Sequence, residues 1–273
     1  MTTTTTQRYV SFVLLLLGIA FLAFPLLILL FSSFKPNVEV YAFPFHFFPE
    51  RWTIANYFSA WSSNLDRYAW NSVVTSAIPT LTSIVFGILA AYALAKMSFL
   101  GKGLILKFIV LMMLVPLDIL VVPMFQLFKS FQLLDTLSGI LIPGLMSAFG
   151  VFLMRQFMVQ IPDELIEAAR IDGCGLAGII VRVVLPNIKP GIAVLGITTF
   201  LSNWNAFTWP FIITSGDTNK TLAVGLASMV TSINNFNPGA LLAGGVIMIV
   251  PVFGLFVLFQ KSITQVYLTA GIK

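Results

Sequence analysis

The chain has 273 residues, of which 58% are hydrophobic and 9% charged, with a net charge of +5 and a mean hydropathy of +0.98. No soluble domain hides that much apolar surface, so the bilayer is its solvent. Basic residues kept on the cytoplasmic side explain the positive balance without nucleic acid, and a single cysteine (Cys174) with a single histidine (His46) excludes an intrachain disulfide and Cys- or His-cluster metal chemistry.

The threonine-rich start reads as a disordered stretch, Met1–Gln7, within a cytoplasmic tail of residues 1–9. Val10–Phe31 is longer than a signal-peptide core and long enough to span, so it reads as a retained first helix. The outside loop, residues 32–72, is rich in aromatics, among them Phe43, Phe47, Trp52, Trp61 and Trp70. An interfacial belt with a small folded cap accounts for these better than a docking surface for an external partner. Further spans are expected at Val73–Leu94, Leu104–Phe125, Gly139–Phe157, Gly191–Thr214 and Ala240–Phe259. All six must be helical, because hydrocarbon offers backbone groups no partner and barrel-like alternation is absent. Pro25, Pro79, Pro116, Pro123, Pro143, Pro210 and Pro251 fall inside them and argue for kinked helices packed around a path. The whole is one transmembrane domain, residues 10–261, followed by a cytoplasmic tail, 262–273.

Orientation follows from lysine and arginine. With the N-terminus inside, Arg8, Lys96, Lys102, Lys107, Arg155, Arg170, Arg182, Lys189, Lys261 and Lys273 lie on the cytoplasmic side. Lys35, Arg51, Arg67, Lys129 and Lys220 lie outside. The excess favours both termini in the cytoplasm.

Catalytic signatures are missing. The nearest fragment to a phosphate loop, Gly216-Asp-Thr-Asn-Lys-Thr, has the wrong spacing and side, and one histidine among aromatics builds no catalytic triad. The chain is expected to be no enzyme and to hold no metal or cofactor. Asp118 is the chief ionisable group central in a span, which weighs against a proton-coupled carrier.

The cytoplasmic loop 161–190 is different. Pro162-Asp163-Glu164 suits a first helical turn, where the missing amide costs nothing and the helix dipole favours acids. Gly173 and Gly175 stop or turn that helix. A second short helix, Leu176–Val184, is expected to end before Leu185-Pro186. Ala168 and Ala169 are small enough for another protein to approach, and Glu167 can pair with a cation there. Mixed charges and the lack of Trp or Phe favour protein docking over a helix lying on lipid.

Glu167-Ala168-Ala169-Arg170-Ile171-Asp172-Gly173, followed by Leu185-Pro186, resembles the E-A-A-x-x-x-G-(nine residues)-I-x-L-P loop of bacterial ABC importer permeases, with Val183 at the usual isoleucine. Ala148-Phe149-Gly150 and Phe152–Phe157 resemble its lead-in. Asn203-Trp204-Asn205 and Phe207–Pro210 resemble a fifth-helix S-W-N-D-F-x-W-P segment, and Tyr267–Gly271 a G-L-T-A-G ending. The similarity covers nearly the whole chain and points to the carbohydrate-uptake branch, near the maltose and glycerol-phosphate permeases.

That resemblance implies an all-α membrane protein of six helices with the type I ABC importer permease architecture. It implies a sugar importer in which this chain pairs with a second permease, two ATPase subunits and an external binding protein. ATP and magnesium would sit on the ATPases. Glu167, Ala168, Ala169, Asp172, Gly173 and Pro186 would couple to them, and the tail Tyr267–Lys273 would reach them too. Asp118, Asn203, Trp204, Asn205 and Trp209 are candidates for the sugar path. Asp118 stands where glutamine is common, and Ala206 where an acid is common. Asp118 suits a structural bond between helices as well as it suits the path; for Trp204 and Trp209 packing fits better than contact with cargo. A stand-alone channel or secondary transporter is the rival, and a membrane scaffold a weaker one.

Overall fold

A computed structural model of the chain describes residues 5–231 and 236–270, with side chains from Tyr9 to Val230 and from Phe236 to Gln260. The main helices, in chain order, are α1 (Thr5–Ser32), α2 (Asp66–Lys96), α3 (Lys102–Met113), α4 (Leu117–Ser130), α5 (Ala148–Val159), α6 (Asp163–Ile171), α7 (Leu185–Trp204), α8 (Thr208–Ile213), α9 (Leu222–Thr231) and α10 (Pro238–Ala270). No strand occurs among the described residues. Five stretches are long and apolar enough to cross a membrane: Tyr9–Ser32, Ala55–Lys96, Leu137–Val159, Leu176–Trp204 and Pro238–Gln260.

The third expected span, Leu104–Phe125, is not one straight helix. It is α3 and α4, bent by 98° between Met113 and Leu117. Pro116 has no amide to give and disfavours helical geometry at Val115, so the helix stops and restarts with Pro116 as its extended N-cap. The fourth span is also interrupted. Leu137–Leu141 passes through a 3₁₀ turn at Ile142–Gly144, and Ser147 then caps α5 by accepting from the Gly150 amide at 3.1 Å.

Two boundaries around the cytoplasmic loop differ from expectation. The helix starting at Leu176 does not end before Leu185-Pro186; it runs through a π turn, Ile180–Val184, straight into α7. Pro186 directly follows that π turn, where the helical hydrogen-bond spacing is already altered. The fifth span, expected at Gly191–Thr214, accordingly begins upstream and stops at Trp204, before the separate short helix α8. At the N-terminus, α1 already begins at Thr5, inside the expected tail. The tail Tyr267–Lys273 lies outside the described side chains.

Two compact units divide the chain. The first holds residues 1–66 and 225–251. In it the outside loop folds as a cap: the buried Asn56 amide donates to the Ser33 and Lys35 carbonyls, both at 2.7 Å. The buried Lys35 ammonium donates to the His46 carbonyl and lies over the Phe45 ring. Phe31 meets Phe47, Phe48 and Trp52 edge-on, while Phe43 and Trp61 stay exposed.

The second unit holds residues 67–224 and 252–273. Its core joins Ile88, Ala91 and Tyr92 of α2 to Met154 and Met158 of α5 and to Val184, Ile188 and Leu195. Gly191 faces the Phe157 ring so closely that a Cβ there would lie 2.5 Å from it. Lipid tails are as apolar as leucine, so such close packing, rather than escape from water, holds the spans together.

Candidate functional site

The cytoplasmic loop is anchored to the core of the second unit. Ile161, Ile166, Ala169 and Ile179 are buried against α2, α5 and the start of α7. The end of α6 is a complete Schellman motif. The Cys174 amide bonds the Ala169 carbonyl at 2.9 Å, and the Gly173 amide bonds the Arg170 carbonyl at 3.0 Å. Gly173 has φ +80°, the left-handed geometry that glycine takes without strain.

A cation ties this loop to α2. The Lys96 side chain, only 6% exposed, reaches Asp163 Oδ1 at 2.6 Å and also donates to the Ile161 carbonyl. The bond and charge of Lys96 hold the Asp163 carboxyl below its usual range. Arg155 Nε adds a bond to the Leu94 carbonyl at 3.3 Å, and Lys102 one to Met97 at 2.9 Å. Cations thus gather where the α2 dipole is negative.

Of the coupling candidates, Glu167, Ala168, Asp172, Gly173 and Pro186 are exposed. Ala169 is not. At 8% exposure it packs inward, so its small size serves the chain's own core. Leu165 and Leu176 also stand half out, and Ile171 is 86% exposed. An apolar residue so exposed on a rigid projection is the kind of surface that another protein covers.

Within the same unit the broken helices border a half-open cavity of about 290 Å³, lined in part by Asp118, Asn203 and Trp209. Asp118 lies in the first turn of α4. It has no hydrogen bond or ion pair among the described residues, and its side chain is exposed. Asn203 donates to the Thr199 carbonyl at 2.8 Å. Trp209 donates from Nε1 to the Gly139 carbonyl at 3.0 Å and packs edge-on against Phe128, leaving part of its ring to the cavity. Trp204 is elsewhere: it is 2% exposed and stacks on Phe200. Asn205 caps the end of α7 and does not line the cavity. Thr75, Ser202, Phe207 and Thr208 do line it, and nothing in their spacing had singled them out as lining.

The fragment from Gly216 is no phosphate site. Asp135 already accepts from the Ser215 and Gly216 amides, at 3.4 and 3.2 Å, and Lys220 is paired with Asp217 at 2.6 Å. Among the described residues no group of His, Cys, Asp and Glu could hold a metal ion.

Residues 83–265 match the family of the binding-protein-dependent transport system inner membrane component. The chain belongs to that family. This permease is 34% identical over 268 residues to the arabinooligosaccharides transport system permease protein AraQ of Halalkalibacterium halodurans, covering 95% of this chain and 96% of the relative. It is 32% identical over 258 residues to the diacetylchitobiose uptake system permease protein NgcG of Streptomyces coelicolor, covering 93% and 85%. Its fold matches a chain of a bacterial ABC transporter involved in import of the acidic polysaccharide alginate, with a TM-score of 0.82 at 24% identity over 96% of this chain and 99% of that one. The permease is therefore a multi-pass protein of the bacterial inner membrane and a subunit of an ABC importer.

Proposed function

We propose that the permease imports a sugar, and that ATPase subunits drive it through the loop 161–190. The sugar reading draws on relatives named for arabinooligosaccharides and diacetylchitobiose. The observation that carries the coupling reading is the exposed face of α6 and its cap. Glu167, Ala168 and Ile171 stand out on a helix whose opposite side is locked into the core by Ile166 and Ala169. A rigid projection with an exposed isoleucine beside an acid suits a cleft that offers apolar contact and a cation.

In this reading Glu167, Ala168, Asp172 and Gly173 meet the ATPase, whereas Ala169 and Pro186 hold the loop in shape. The ATPase pair carries ATP and magnesium; a second permease completes the path, and an external binding protein delivers the sugar. Closure of the ATPases moves the loops and alternates access between the two sides. Asp118, Asn203 and Trp209 form this chain's wall of the path; Trp204 and Asn205 support it from outside the cavity. Both termini face the cytoplasm.

The test is uptake of arabinotriose into proteoliposomes holding the assembled complex and its binding protein. Uptake should require ATP and stop when the ATPase chains are left out. Sugar flux through this chain alone, without ATP, would sink the reading and revive the stand-alone channel.

A further inference from the structure

The cavity's chemistry bears on which sugars can pass. Its walls combine two aromatic rings, Trp209 and Phe207, with neutral polar groups on Ser202, Asn203 and Thr208. Among the lining residues Asp118 alone is ionisable. No lysine or arginine is among the lining residues, and the next charged residue on α4 is Lys129, eleven positions on, or ~16 Å at 1.5 Å per residue. Asp118 also makes no hydrogen bond or ion pair among the described residues, and it is exposed to the cavity. An ionised carboxylate only accepts hydrogen bonds. It suits sugar hydroxyls, two of which can share its oxygens, and it repels phosphate, sulfonate and carboxylate groups. The aromatic rings suit the apolar C–H faces of a pyranose or furanose.

We propose that this half of the path is selective for neutral, hydroxyl-rich oligosaccharides, with Asp118 as the residue that rejects acidic ones. The proposal rests on the import reading above and narrows it. Importers of this fold handle both classes, since arabinooligosaccharides are neutral whereas alginate is acidic; the wall of this chain falls on the neutral side.

The test bypasses the binding protein, whose own selectivity would mask the permease's. The purified complex of permeases and ATPases is titrated calorimetrically with arabinotriose and with trigalacturonate. Wild type should bind arabinotriose at least tenfold more tightly. Asp118→Asn, which keeps the shape and removes the charge, should narrow that ratio to threefold or less, and Asp118→Lys should reverse it. Equal binding of the two sugars by wild type would overturn the proposal, as would a ratio unmoved in Asp118→Asn. ATP-driven uptake measured in parallel separates the two readings. If uptake persists while trigalacturonate binds as well as arabinotriose, charge selection falls and import stands.

Discussion

The loop 161–190 and the cavity are built from opposite uses of backbone. In the loop the ends of α6 are tied down: the Schellman bonds finish it, and Lys96 holds the Ile161 carbonyl and Asp163 together. Around the cavity the helices are left broken, at Pro116, at Ile142–Gly144 and between Trp204 and Thr208. Irregular backbone at membrane depth is tolerated where protein buries it or a cavity takes it up. The contrast teaches that the loop is made to keep its shape under load, whereas the cavity is made to present polar groups where an unbroken helix would hide them.

The largest expected effect comes from breaking the loop's outward face while sparing its inward one. Glu167→Arg should weaken copurification of the ATPases at least tenfold and leave the melting temperature of the permease unchanged. Equal loss of both would mean that Glu167 is structural and that the two faces are not separable. The converse change, Ile166→Ala, opens a hole in the core beneath α6. Such truncations cost about 2–5 kcal/mol, so thermal melts should shift clearly downward with ATPase binding weakened only in consequence.

Lys96→Met tests the clamp between α2 and the loop. ATPase association should persist, while sugar moved per ATP hydrolysed falls about threefold, because motion of α6 reaches α2 through packing alone. The clamp also carries a pH signature. The folded Asp163 pKa is depressed by Lys96, so its stabilising contribution is present above the unfolded value of about 3.9 and is lost as pH falls through the lower folded one. Melts at pH 6 and pH 3 should differ more for wild type than for Lys96→Met; equal differences would remove the clamp from the account. Gly173→Ala gives the smallest effect. No atom of this chain lies within 4 Å of the added carbon, so the cost to the fold is that of left-handed backbone alone, about 1–2 kcal/mol, read as a modest drop in melting temperature.

Much of this was legible along the chain, because local chemistry wrote it there. Apolar length marked α1 and α10, Gly173 marked the end of α6, and the acids after Pro162 marked its start. The prolines mark the third span as kinked, but Pro116 inside an apolar run reads equally as a kink or as a full break, and only neighbouring packing chooses the 98° bend between Met113 and Leu117. Ala169 was misplaced for a related reason. A helix of alternating small and apolar residues shows two usable faces, and Ala91, Tyr92 and Met158 decide which one is covered.

The sequence by itself determined the solvent, the helices and the position of the coupling loop, because composition, span length and glycine or proline chemistry act within a few residues. Tertiary structure decided what those elements do together. It paired Lys96 with Asp163 across 67 positions, gathered Asp118, Asn203 and Trp209 around one cavity, and left Trp204 and Asn205 out of it. Such meetings depend on how broken helices pack, and that packing depends on contacts between residues far apart in the chain.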